Sequence, residues 1–129
     1  MNLVKKTFSV LGGVALAATL AVAPVSPAAA ATDCVDNVYK YGGYSSCVGD
    51  IQKILNLAHS VQGSYRLKVD NSFGANTRNS VKWFQSSKGL TADGVVGPKT
   101  WQALCAHKFG YGTAAFLKSA YAAQDHAGC

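Results

Sequence analysis

The chain between residues 70 and 104 contains one short pattern twice. The first copy reads Asp70-Asn71-Ser72-Phe73-Gly74-Ala75-Asn76-Thr77, and the second reads Asp93-Gly94-Val95-Val96-Gly97-Pro98-Lys99-Thr100. In each copy an Asp is followed by an apolar residue three positions later, a Gly four positions later and a Thr seven positions later. Each copy runs directly into a helical pattern. A repeat at this 23-residue spacing indicates one structural unit used twice.

Hydrophobic spacing around the two copies predicts an all-α fold, a small three-helix bundle with an internal repeat. Val48, Ile51 and Leu55 recur at the spacing of a first amphipathic helix. Gly74 and Gly97 are the predicted N-caps of the second and third helices. A proline directly after the second of these glycines suits the first position of a helix, where its missing N–H has no consequence.

Both ends of the chain extend beyond this bundle, which is expected to occupy residues 48–106. Residues 32–47 are rich in Tyr, Gly and Ser without a sustained period, and this predicts an irregular N-terminal arm. Residues 107–129 contain a further apolar stripe, which predicts an extra C-terminal helix between Gly112 and Gly128.

The first 31 residues have the pattern of a secretory signal peptide. Lys5 and Lys6 precede an apolar run at 10–22, and small residues at 28–31 offer cleavage sites. The apolar run is too short for a comfortable membrane span, and no second run follows it. We therefore expect cleavage after Ala31 and release of a secreted, extracellular domain without membrane attachment.

Four cysteines lie in the expected mature chain: Cys34, Cys47, Cys105 and Cys129. An even number in a small exported domain indicates two disulfides, and all three pairings remain open. Zinc is the alternative, because Cys105 and His107 could both ligate a metal. No CxxC pair is present, and an oxidising compartment favours disulfides. The sequence therefore predicts neither a metal site nor a cofactor.

Charge and acid content limit the classes of function. The formal net charge of +6 comes mostly from scattered lysines, which could draw the protein to an anionic wall polymer. No basic run or recognition motif indicates nucleic acid. The chain contains no Glu, and glycoside hydrolysis commonly uses a pair of carboxylates in a cleft that so small a bundle does not provide. The three histidines lack the spacing of zinc hydrolases. We therefore expect a protein that is not an enzyme.

An ordered set of motifs surrounds the two copies. It comprises Val48-x-x-Ile51-Gln52, Val69-Asp70-x-x-Phe73-Gly74-x-x-Thr77, Val81-x-x-Phe84-Gln85 and Ala92-Asp93-Gly94-x-Val96-Gly97-Pro98-x-Thr100-Trp101-x-x-Leu104. With these motifs the chain resembles the peptidoglycan-binding domain family, three-helix cell-wall modules that are often attached to wall hydrolases. It departs from the family pattern at Asn71, where Gly is usual, and at Trp83, where a polar residue is usual. The resemblance also implies a disulfide from the segment before the first helix to the segment after the third.

The resemblance implies a non-catalytic, cell-wall-associated module. It would bind the glycan strand or stem peptide of peptidoglycan in a shallow groove between the two repeated loops. The candidate ligand-binding residues are Asp70, Asn71, Phe73, Thr77, Trp83, Asp93, Gly94, Val96 and Thr100. One alternative is a protein-interaction or inhibitor module that acts on an exported wall hydrolase, and a remote one is a small wall hydrolase.

Several candidates also have a purely structural explanation. Asp70 and Asp93 can accept backbone N–H groups within their own turns, and Thr77 and Thr100 can cap the helices that they open. The apolar candidates suit a core. Trp83 lies off the predicted inward face of its helix, so it could stack on a sugar or pack under the arm or the C-terminal helix.

Overall fold

The computed structural model describes residues 33–59, 66–110 and 112–129, and the structural statements below concern these residues. It contains four α-helices, α1 (Ser46–His59), α2 (Ala75–Ser87), α3 (Pro98–Ala106) and α4 (Ala114–Ala127), preceded by a short 3₁₀ turn at Cys34–Asp36. The all-α prediction, the internal repeat of helix and loop, and the extra C-terminal helix are confirmed. The predicted signal peptide lies outside the described residues.

α1 is the central helix of the fold. Ten of its fourteen residues are buried, so it is covered on more than one side. α2 and α4 both pack against it. The buried residues of α4 are Ala120, Ala123, Gln124 and Ala127, and the three small alanines permit a close approach between the two helices.

The repeat loops and their helices supply the largest core side chains. Phe73 and Val96, the apolar residues of the two repeat copies, have 0% exposure. Phe84 from α2 and Trp101 from α3 are buried beside them, at 0% and 2% exposure. This burial of aromatic and aliphatic surface is the main stabilising term for so small a domain.

The N-terminal arm is irregular but lies along both repeat loops. Tyr39 forms an antiparallel bridge with Val96, and Tyr44 forms one with Ser72. The indole Nε1 of Trp101 donates a 3.0 Å hydrogen bond to the backbone oxygen of Asn37. The arm is therefore attached to the second copy at one end and to the first copy at the other.

The two disulfides confirm the prediction that all four cysteines are paired. Cys34 of the arm is bonded to Cys47 in the first turn of α1, and Cys105 is bonded to Cys129, which fixes the end of α4 to the end of α3. The implied bridge from arm to tail is wrong. Each bond joins a terminal extension to the adjacent end of the bundle. The Cα atoms of the two pairs are 5.6 and 5.3 Å apart, as is usual for disulfides.

α4 is also held by polar contacts. Gln124 Nε2 donates hydrogen bonds to the backbone oxygens of Leu104 (2.7 Å), Cys105 (3.3 Å) and His107 (3.2 Å), at the C-terminal end of α3. Carbonyl groups in the last turn of a helix have few backbone donors available, and the Leu104 oxygen also accepts the His107 N–H (3.3 Å). Among the described residues, no helix combines the length and the apolar character needed to cross a membrane.

Candidate functional site

A buried glutamine of α1 organises the first repeat loop. Gln52 is 1% exposed, and its Nε2 donates to Asp70 Oδ1 (3.0 Å), Ser72 O (3.0 Å) and Thr77 Oγ1 (3.1 Å). Its Oε1 accepts from the backbone N–H groups of Asp70 (3.0 Å) and Asn71 (3.2 Å). The single amide group of Gln52 therefore forms hydrogen bonds with both side-chain and backbone groups of the loop.

The second loop repeats this arrangement with a glutamine of α2. Gln85 is also 1% exposed, and its Nε2 donates to Asp93 Oδ1 (2.8 Å), Val95 O (2.9 Å) and Thr100 Oγ1 (3.0 Å). Its Oε1 accepts from the backbone N–H of Gly94 (2.9 Å). The internal repeat seen in the sequence is thus a repeat of hydrogen-bond geometry as well.

The two aspartates make the turn contacts expected of the structural explanation. The hydrogen bond from Gln52, followed by the one from the Ser72 backbone N–H, lowers the pKa of Asp70. The Val95 backbone N–H, followed by Gln85, lowers the pKa of Asp93. Both carboxylates are exposed and ionised at neutral pH, so each also remains available to accept a hydrogen bond from a ligand.

The two threonines do not cap their helices as predicted. The N-caps of α2 and α3 are Gly74 and Gly97. Thr77 and Thr100 instead accept hydrogen bonds from the glutamines, and their hydroxyls lie 3.4 Å from the backbone oxygens of Ser72 and Val95. They join the first helical turn to the loop because the buried amide lies directly below them.

Each loop borders its own surface hollow. The Asp70 hollow has a volume of about 180 Å³ and is lined by Gln52, Leu67, Lys68, Asp70, Ser72, Gly74, Ala75, Asn76 and Thr77. The Asp93 hollow has a volume of about 550 Å³ and is lined by Gln85, Gly89, Leu90, Thr91, Asp93, Val95, Gly97, Pro98, Lys99 and Thr100. Apart from the glutamines and Gly89, the linings match at the 23-residue spacing. No residue lines both, so the described structure has two related hollows in place of one shared groove.

Three of the candidate residues are removed from the surface. Phe73 and Val96 are fully buried in the core and have no face with which to touch a ligand. Gly94 has a φ of 75° and lies beneath Arg78 and Lys82 of α2, whose side chains a Cβ at this position would meet at 2.7 and 3.1 Å. These three residues support the loops from within, which corrects the expectation of direct contact.

Asn71 contributes to a different surface from its neighbours in the loop. It has a left-handed backbone with a φ of 63°, a conformation that Asn tolerates well. Its side chain packs against Gly49 of α1. It lines a cleft of about 460 Å³ between α1 and α4, where Asp50 is paired with Lys53 and His126.

Trp83 is half-buried and stacks on the ring of His59. The ring centroids are 3.8 Å apart and the planes are inclined by 23°. Burial lowers the pKa of His59, which favours the neutral imidazole in this stack. The packing partner of Trp83 is the C-terminal end of α1, whereas the sequence suggested the arm or the C-terminal helix.

The two glutamines were missed as site residues, although a signal for them exists. Gln52 follows Val48 by four positions, and Gln85 follows Val81 by four positions. Both therefore lie on the inward stripe of an amphipathic helix, where a polar side chain needs a buried partner. The loop Asp and Thr supply that partner in each copy.

Among the described residues, one group of three side chains is close enough together to hold a metal ion: Cys34, Asp50 and His126. Cys34 is bonded to Cys47 in a disulfide, so its sulfur is not a thiolate ligand. The hydrogen bonds of Asp50 with Lys53 and His126 are a sufficient explanation of the other two side chains.

The chain is similar to several known proteins. The family described as "Putative peptidoglycan binding domain" matches residues 45–104. A zinc D-Ala-D-Ala carboxypeptidase of Streptomyces albus G is 35% identical over 96 residues, which cover 69% of this chain and 38% of that protein. A crystal structure of a peptidoglycan-binding protein from Clostridioides difficile in complex with glutamine hydroxamate is 37% identical, with a TM-score of 0.48, and covers 54% of this chain and 41% of that one.

The chain therefore spans well under half the length of both relatives. The matched segment contains α1, α2, α3 as far as Leu104, both repeat loops and both hollows. The segment at residues 45–104 belongs to the peptidoglycan-binding domain family.

Proposed function

We propose that the protein is an exported, non-catalytic module that binds peptidoglycan at the Asp93 hollow. The family assignment supports binding to this polymer and association with the cell wall. The observation that carries the proposal further is the Asp93 hollow itself, which lies wholly within the family segment and is about three times as large as its counterpart.

The lining of the Asp93 hollow suits a ligand that is partly polar and partly apolar. Leu90, Val95 and Pro98 supply apolar wall, while Asp93 and Lys99 supply an acceptor and a cationic donor. Binding sites for small groups usually combine apolar walls with a few placed polar groups. Sugar residues and stem peptides both present hydroxyl or amide groups beside apolar faces.

Gln85 makes this hollow rigid before a ligand arrives. Its four hydrogen bonds hold Asp93, Gly94, Val95 and Thr100 in one arrangement. A loop that is already ordered loses less conformational entropy on binding. The polar groups are therefore available at little further cost in free energy.

The test is co-sedimentation of the oxidised protein, residues 32–129, with purified peptidoglycan freed of teichoic acid. The matched variants are Thr91→Trp and Lys68→Trp, which place the same bulky side chain at equivalent exposed positions of the Asp93 and Asp70 hollows. We expect wild type and Lys68→Trp to pellet at high salt and Thr91→Trp to remain in solution. The comparison is made at high salt because Lys68→Trp also removes a charge.

Retention of wild type in the supernatant at both low and high salt would contradict wall binding. If Thr91→Trp pellets with the peptidoglycan and Lys68→Trp stays in the supernatant, the site is reassigned to the Asp70 hollow. Trp83→Ala belongs in the same series, since Trp83 stays a candidate ligand contact through the exposed part of its ring.

The same protein and peptidoglycan preparations also distinguish wall binding from catalysis and from binding to a partner protein. A non-catalytic module releases neither soluble glycan fragments nor D-alanine from the pelleted wall, although the Streptomyces albus G relative is named as a carboxypeptidase. An inhibitor or interaction module would instead form a complex with a soluble exported hydrolase and show no affinity for purified wall.

A further inference from the structure

The backbone of the arm before α1 is held in place, although some of its side chains do not pack in the core. The Cys34–Cys47 disulfide closes it at both ends. Phe73 N–H donates to Gly43 O (2.8 Å), and Gly42 N–H donates to Phe73 O (2.9 Å). Reciprocal bonds of 3.0 and 2.8 Å join Tyr39 to Val96 at the other end of the arm.

This rigid arm presents two tyrosines to solvent. Tyr39 is turned inward and packs edge-on against Trp101, with centroids 6.0 Å apart. Tyr41 and Tyr44 are instead 60% and 76% exposed. Large aromatic side chains that are exposed on an ordered backbone commonly mark an interaction surface.

A cationic side chain lies against the Tyr41 ring. The Arg78 guanidinium carbon lies 5.4 Å from the centroid of the Tyr41 ring, in a cation–π arrangement. Arg78 and Lys82 also pack over Gly94 of the second loop. The exposed Tyr41 ring is therefore connected through Arg78 to the loop that borders the Asp93 hollow.

We propose that Tyr41, Tyr44 and Arg78 form a platform that binds the glycan strand of peptidoglycan, separately from the Asp93 hollow. Flat tyrosine rings stack on the apolar faces of sugars, and a guanidinium donates several hydrogen bonds to hydroxyl or carboxylate oxygens. Tyr41 and Tyr44 lie outside the segment matched by the family, whereas Arg78 lies in α2, inside that segment. The inference rests on the proposed function, because a polymer long enough to reach from the hollow to the arm is needed for both surfaces to act together.

The experiment measures binding of two probes to the oxidised protein. One is intact peptidoglycan, and the other is soluble glycan strands from which an amidase has removed the stem peptides. The test variant is Tyr41→Ala/Tyr44→Ala. Its controls are Tyr41→Phe/Tyr44→Phe, which keeps both rings, and Tyr121→Ala, which removes an exposed tyrosine of α4. Tyr44→Ala alone keeps the Tyr41–Arg78 contact and covers the case in which the double variant misfolds.

We expect the double alanine variant to bind peptide-free strands at least about tenfold more weakly than wild type, with the single alanine variant between them. Both controls should stay within about twofold of wild type. Equal binding of strands by wild type and the alanine variants, or no binding of strands by wild type, overturns the platform. If wild type does not bind intact peptidoglycan, the proposed function itself is overturned. The two failures are therefore distinguishable.

Discussion

Gln52 and Gln85 are the residues on which the shape of both loops depends. Each is buried, and each amide has partners for its donor and its acceptor groups. A buried amide with all its partners stabilises a loop, while removal of one partner leaves the others desolvated and unsatisfied. The effect of a substitution should therefore exceed the value of any single hydrogen bond.

Gln85→Ala should lower the free energy of unfolding by about 2–4 kcal/mol, because it leaves the Asp93, Val95 and Thr100 oxygens and the Gly94 N–H without their buried partner. Urea denaturation measures the change. Gln102→Ala, an exposed glutamine of α3, should change stability by less than about 0.5 kcal/mol. Equal effects of the two substitutions would contradict the role of Gln85.

Asp70 and Asp93 make stability depend on pH in the acid range. Hydrogen bonds in the folded state hold both pKa values below the ordinary value of 3.8, so the unfolded chain binds protons first as pH falls. The stabilisation is complete well above pH 3.8 and is lost as pH falls through the lowered folded pKa values.

Asp70→Asn/Asp93→Asn should therefore flatten the acid side of the stability profile. Urea midpoints between pH 7 and pH 2 measure it for the variant and for wild type. We expect the difference between the two proteins to be largest near pH 7 and to shrink in acid. A constant difference across this range would contradict the assignment.

At the scale of elements, the helices could be predicted from the sequence, but the disulfide pairing that links them could not. The N-caps Gly74 and Gly97 and the first-turn Pro98 were predicted because capping is a local property of the chain. Disulfide pairing depends on which chain ends meet in space, so the pairing of Cys105 with Cys129 was accessible only from the structure. The packing of Trp83 on His59 was missed for the same reason.

The Cys105–Cys129 disulfide should stabilise α4 in particular. Cys105→Ser/Cys129→Ser should reduce the free energy of unfolding by about 3 kcal/mol, the value expected for a closed loop of this length. Hydrogen exchange measures where stability is lost, and we expect faster exchange in α4 with most protection retained in α1. Uniform acceleration across all helices would show that α4 does not open separately.

At the scale of the whole molecule, one hydrophobic core joins the arm, the repeat unit and the C-terminal helix. The buried set runs from Cys34 through Phe84 to Ala127 without division among the described residues of the mature chain. Hydrophobic spacing predicted most of this set, because it is repeated along each helix. It could not show that the two loops border separate hollows, since that depends on how far apart the folded loops stand.

The oxidised protein should therefore unfold in one cooperative transition. Trp101 reports on the core, and Trp83 reports on the contact between α1 and α2. We expect urea curves from tryptophan fluorescence and from far-ultraviolet circular dichroism to coincide. Separated midpoints would show that the extensions unfold apart from the bundle.

The series of loop units ends where Gln124 of α4 binds the C-terminal end of α3. A third unit at the 23-residue spacing of the loops would place its aspartate at position 116, but that position is Phe116 in α4, and α3 has already ended at Ala106. The amide of Gln124 occupies the carbonyls at this helix end, from a helix that lies outside the series. α4 thus packs at the end of the array, after the second copy of the unit, as a capping repeat does in a solenoid.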